Sequence, residues 1–161
     1  MSSLDIVPRE ESERRLAAIL VADVVGDSRL MQADEEGTLS RLEEIGASII
    51  EPRIAAHRGH IFRTVGDGLL VEFPSVVEAV LCAAEIQAEL RLRDADLPEQ
   101  RIQLRIGINI GDVIRKGNDV FGTGVNIAAR LEAWQSREAF TYRVKRTTRF
   151  EIVRSPSTTS A

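Results

Sequence analysis

Two aspartates stand where a carboxylate needs a reason. Asp23 lies inside the apolar run Leu16-Ala17-Ala18-Ile19-Leu20-Val21-Ala22-Asp23-Val24-Val25, and an unpaired charge buried in such a segment costs several kcal/mol unless strong donors or a cation compensate it. Backbone N–H groups of a neighbouring loop are one possible partner. A Mg²⁺ ion, which takes few protein carboxylates and several phosphate or water oxygens, is another. Asp67 sits in Val65-Gly66-Asp67-Gly68, where Gly-Asp-Gly is also ordinary turn chemistry. Together the two carboxylates say more than either alone, because a shared cation would explain both.

Whether they meet depends on the elements that carry them. The run from Leu16 to Val25 is continuous rather than alternating and ends at Gly26, which suits a strand buried on both faces. From Asp34 to His57 the apolar residues Leu39, Leu42, Ile45, Ile49 and Ile50 follow a helical period, with Asp34 as cap and Pro52 bending the last turns. Two short strands, Ile61 to Thr64 and Leu69 to Phe73, form a hairpin with Asp67 at its tip. Ser75-Val76-Val77-Glu78 is a capping box that opens a helix running to about Asp94–Pro98. Ile102, Leu104, Ile106, Ile108 and Ile110 alternate with other residues as one strand. Gly117 to Gly122 reads as a polar loop and Val125 to Leu131 as the start of a further helix. This order predicts an α+β fold with a ferredoxin-like βαββαβ core, an antiparallel sheet with helices on one face, in which the first strand and the hairpin lie side by side.

Composition narrows the function classes. The chain has 161 residues, 21 basic and 25 acidic, for a net charge of −4, so one domain is expected and no basic run suggests nucleic acid or an anionic membrane surface. The longest apolar run is well short of the roughly 20 residues that span a bilayer, and residues 1–13 read as a flexible, polar N-terminus with no export signal. Cys82 is the single cysteine and falls in a helix core. A cytoplasmic, reducing setting is the expectation. His57 and His60 flank Gly59 with no third ligand nearby and read as loop residues.

Four segments then resemble class III adenylate/guanylate cyclase catalytic domains of the bacterial type. They are Ala22-Asp23-Val24-Val25-Gly26, Arg63-Thr64-Val65-Gly66-Asp67-Gly68, Arg105 to Asp112, and Asp119 to Glu132, which includes Asn126-Ile127-Ala128-Ala129-Arg130. The likeness runs from about Arg14 to Ala133, and four motifs in order make it specific. The resemblance implies conversion of ATP to 3′,5′-cyclic AMP and pyrophosphate in a homodimer with composite sites. Asp23 and Asp67 would hold two Mg²⁺ (or Mn²⁺) ions, and backbone N–H groups of Val24, Val25 and Gly26 would cradle phosphates. From the partner subunit, Arg63 and Asp119 would read the purine, Asn126 would orient the ribose, and Arg130 would meet the transition-state phosphate. A cationic donor beside a carboxylate acceptor complements adenine. Adenylate members usually carry lysine where Arg63 stands, an aromatic residue at the place of Asp27, and an acidic one at that of Thr123. The alternative reading is a catalytically impaired remnant that binds nucleotide or dimerises. A diguanylate cyclase is disfavoured, since its Gly-Gly-(Asp/Glu)-Glu-Phe hairpin is missing from the sequence.

After Ala133 the likeness stops, and residues 134–161 show neither helical nor strand periodicity. One nucleotide restored after the codon for Ala133 turns Trp134 to Phe140, through allowed codons, into Leu-Ala-Glu-Pro-Gly-Gly-Ile, the family's usual continuation. The expectation is a frame-shifted, non-homologous tail behind an incomplete catalytic domain spanning residues 14–133. Such a domain would lack its remaining sheet strands and leave a sheet edge uncovered.

Overall fold

The computed structural model describes residues 12–96, 101–123, 125–126, 140–144 and 148–154, the last two segments by their backbone alone. At its centre is β1 (Glu13–Val24), which starts earlier than the apolar run and ends at Val24. It pairs antiparallel with β3 (Gly68–Phe73) on one side and β4 (Leu104–Lys116) on the other. With β2 (His60–Val65), these give the order β2-β3-β1-β4, the arrangement expected of a βαββαβ core. The continuous apolar run is explained by two packed faces. Ala18, Leu20, Ala22 and Val24 join the larger core under the helices, while Ala17 and Ile19 pack with Leu70, Val113, Val120 and Val125 on the opposite face. Alternate side chains of a strand point to opposite faces.

The single helix expected from Asp34 is divided. Helix α1 (Asp27–Ala33) precedes it, and Asp34 caps α2 (Glu35–Ile45) by accepting the Gly37 N–H at 3.0 Å. A π-helical turn, Gly46–Ile50, then leads into α3 (Glu51–Ala56), with Pro52 in its first turn. Proline has no N–H to return to the preceding turn, so the expected bend takes the form of a widened turn just before it. Helix α4 (Val76–Arg93) starts as the capping box predicts, with Ser75 Oγ accepting the Glu78 N–H at 3.2 Å. It buries Cys82, whose thiol is pushed up to about 12, chiefly by burial, and is held as a packing group.

Two expectations are corrected. The stretch read as a polar loop contains β5 (Asp119–Phe121), which folds back on the end of β4. In the segment expected to lack periodicity, β6 (Phe140–Val144) and β7 (Thr148–Arg154) form an antiparallel pair, and β7 runs parallel to β4. The outer edge of β4 is therefore covered, by backbone pairing that makes few demands on side chains. The supposed flexible N-terminus lies outside the described residues except for Ser12 and Glu13, the latter already in β1.

His57 is also no simple loop residue. It closes α3, and its two ring nitrogens reach Glu78 Oε2 at 2.7 Å and Glu85 Oε2 at 3.1 Å on α4. Arg53 pairs with Glu85 and Glu89, and Arg58 with Glu78, around it. Hydrogen bonds that His57 donates to Glu78 and then to Glu85 raise its pKa, and accepting them lowers those of both carboxylates. Because the folded value of His57 lies above its unfolded value of about 6.5, its contribution is complete below that pH and is lost as pH rises through the folded pKa. The lowered carboxylates have the opposite slope, losing their contribution as pH falls through their folded values. Thermal unfolding followed from about pH 6 to about pH 9 should show a falling midpoint in the wild type and a flatter profile in His57→Gln. Equal slopes would remove His57 from the account.

Candidate active site

The hairpin between β2 and β3 turns at Gly66, whose φ of +58° suits a residue without a Cβ. This presents Asp67 to the end of β1, where its Oδ2 accepts the Val24 N–H at 3.1 Å. Asp67 is thus fastened to the residue that follows Asp23. The two carboxylates belong to one end of the sheet, where the first strand and the hairpin lie side by side.

Asp23 has a partner that sequence reasoning missed. Across the β1–β4 register Asp23 faces Arg105, and the guanidinium grips it with Nε–Oδ1 at 2.9 Å and Nη2–Oδ2 at 2.6 Å. Such a two-pronged, charge-assisted pair is among the stronger polar contacts available to a protein. The Asp23 side chain is 19% exposed and Arg105 is 44% exposed, so water screens the pair from one side. Of the partners that the sequence left open to Asp23, a loop of backbone N–H groups or a cation, neither was this cross-strand arginine. The sequence signal was only that Arg105 occupies an outward position in the alternating strand.

Asp27, at a position where adenylate members usually carry an aromatic residue, stands beside Asp67. Its Oδ1 is buried and has no hydrogen-bond partner. Burial first, and then the charge of Asp67, raise its pKa. Asp27 and Asp67 both line a cleft of about 610 Å³ between β1, the hairpin and α2, with Val24, Thr64, Leu42 and Glu43. Two mutually repelling carboxylates, one with an orphaned oxygen, form a donor set that a hard oxygen-seeking cation fits. Among the described residues no group of three or more His, Cys, Asp or Glu side chains is already gathered around one point.

The proposed phosphate cradle needs correction. The Val24 N–H is committed to Asp67 and the Val25 N–H donates to Gln103 O at 2.8 Å, so two of the three expected donors are used within the chain. Gly26, with φ of +72°, caps the start of α1.

Arg63 and Asp119 come together within one chain. Arg63 Nη2 lies 3.0 Å and 3.3 Å from the two Asp119 oxygens, and its guanidinium stands 5.9 Å from the centre of the Phe62 ring. A register shift between Ile61 and Arg63 interrupts β2, and such irregularities redirect a side chain. Both partners are more than a third exposed, so the pair contributes at most about 1 kcal/mol to stability. It sets position, with donor and acceptor side by side. Asn126 is exposed, and its N–H donates to Gly122 O at 3.2 Å. Arg130 lies outside the described residues.

Gly122 links these pieces. Its φ is +139°, and a Cβ there would meet Asp112 O at 2.6 Å. Gly122→Ala should therefore cost roughly 1–3 kcal/mol, read as a lower urea midpoint. An unchanged midpoint would show that the loop relaxes freely.

Residues 10–150 match the family model described as the adenylate and guanylate cyclase catalytic domain. A putative adenylate cyclase 3 of Rhizobium meliloti is 50% identical over 126 residues, 78% of this chain and 22% of that protein. An adenylate cyclase of Streptomyces coelicolor is 35% identical over 130 residues, 81% of this chain and 33% of that protein. The chain thus spans a third or less of the length of these relatives. The crystal structure of an adenylate/guanylate cyclase/hydrolase from Silicibacter pomeroyi superposes with a TM-score of 0.70 at 48% identity, covering 76% of this chain and 72% of that one. The motifs, the sheet order and these matches agree: the chain belongs to the adenylate and guanylate cyclase catalytic domain family.

Proposed function

We propose that the chain is a nucleotidyl cyclase unit that converts ATP to 3′,5′-cyclic AMP and pyrophosphate in a homodimer. The observation that carries this reading is the fastening of Asp67 to Val24, which brings Asp67 to the strand end that bears Asp23. Asp23 and Asp67 are the proposed holders of two Mg²⁺ or Mn²⁺ ions, and the orphaned oxygen of Asp27 supports cation binding at this end. When bound, such ions neutralise the triphosphate and favour in-line attack of the ribose 3′-hydroxyl on the α-phosphorus. Arg63 and Asp119 read the adenine edge as donor and acceptor, and their side-by-side placement supports that role. Asn126 orients the ribose and Arg130 the reacting phosphate, both serving the partner's nucleotide. Gly26 is the remaining proposed backbone donor to phosphate.

Arg63 stands where adenylate members usually have lysine. Arginine presents a planar fork rather than a point charge, so Arg63→Lys should raise kcat/KM for ATP. Asp67→Asn should lower cyclic AMP formation from Mn-ATP by at least about a hundredfold. Chromatographic assay of cyclic AMP and cyclic GMP from each nucleotide checks both. Cyclic GMP as the main product would overturn the assignment to ATP.

A second reading, a remnant that binds nucleotide without turning it over, is favoured by the Arg105 grip on Asp23. Saturable ATP binding without cyclic AMP would support it. The proposed single-nucleotide loss after the codon for Ala133 is checked by reading the gene, and activity appearing only in a frame-restored chain would make this chain the remnant.

A further inference from the structure

A second pocket, of about 300 Å³, opens between α4 and the start of β4. Arg91, Arg101 and Arg105 line it with Gln103, over a floor that includes Leu90 and Ile102, and among the described residues no acidic side chain lines it. The Nε of Arg101 is buried there and has no hydrogen-bond partner. A buried donor without an acceptor is unfavourable, and a guanidinium donor more so than a neutral one. Three guanidinium groups around one small space, of which Arg105 is already paired with Asp23, leave a positive potential suited to an oxyanion.

We propose that this pocket binds a small oxyanion of the phosphate class, apart from the Arg63–Asp119 pair and the Asp27–Asp67 cleft. The Arg101 fork supplies the donor that now lacks a partner, and Arg91 and Arg105 supply further charge. Arg105 also holds Asp23, so an anion in this pocket shares one guanidinium with that carboxylate and weakens its hold. The Val25 N–H is tied to Gln103 O at 2.8 Å, which joins the rim of the pocket to the end of β1.

The test is calorimetric titration of inorganic phosphate into the full chain at constant ionic strength and pH, without nucleotide or metal. Saturable binding is expected, weakened at least about tenfold in Arg101→Gln, and weakened in Arg91→Gln while Asp67→Asn leaves it unchanged. Circular dichroism checks folding, and if Arg101→Gln does not fold, Arg91→Gln carries the comparison. A parallel titration with ATP separates the sources: a matching loss in Arg101→Gln means that a nucleotide's phosphates occupy the pocket, and a loss confined to phosphate means the free ion. Either result sustains the site. No saturable heat, equal affinity in the wild type and both folded arginine variants, or loss of binding in Asp67→Asn alone would overturn it.

Discussion

The register of β1 against β4 is the constraint on which the carboxylate end depends. It sets Asp23 opposite Arg105 and Val24 opposite Leu104, where the adjacent hairpin turn can fasten onto β1. A slip by one residue would turn every side chain of β1 to the other face. That slip is resisted on both sides of the sheet at once, because Leu20 and Val24 pack under the helices while Ile19 packs against Val113 and Val120. The double burial that makes β1 a continuous apolar run is therefore also what fixes the position of its one charged residue.

Within that frame, charge is unevenly settled. Asp23 has a bidentate guanidinium, whereas Asp27 and Asp67 face each other's charge and one Asp27 oxygen has no partner. Glu72 is another buried carboxylate on the same sheet. It is 3% exposed, and its Oε1 accepts from Arg15 Nε at 2.9 Å and Nη2 at 2.7 Å, an ion pair that removal of either partner would leave costly. Its Oε2, like Asp27 Oδ1, is buried without a hydrogen-bond partner, so what sets Asp27 apart is the like charge of Asp67 beside it, which joins burial in raising its pKa.

Legibility from sequence followed how local each determinant was. The hairpin around Asp67, the Asp34 and Ser75 caps and the two-faced β1 are encoded by neighbours within a few residues, so pattern and turn chemistry revealed them. Arg105 was missed as the partner of Asp23 because the two are 82 positions apart in sequence, and an outward residue of an alternating strand looks solvated. His57 was read as loop because its partners Glu78 and Glu85 sit on a later helix. Strand β5 escaped notice because its three residues are too few to show a period. Strands β6 and β7 escaped for another reason: pairing with β4 is made by backbone groups, which hydropathy patterns do not report.

The arginines around this sheet end show why a motif match and a working site are separate matters. Arg63 faces Asp119 and Arg105 faces Asp23, each through paired contacts, yet the consequences differ. Asp119 remains 43% exposed, so a ligand edge can compete for its oxygens at little desolvation cost. The 19% exposed Asp23 is gripped by both prongs of its partner, and any positive charge that approaches must offset two charge-assisted hydrogen bonds before gaining anything. Asp67, by contrast, gives one oxygen to a backbone N–H and repels Asp27, so an arriving cation relieves strain there from the outset. The same end of one sheet therefore holds one carboxylate already satisfied and a pair that is not, and the grip of Arg105 governs how much of the motif is available for binding.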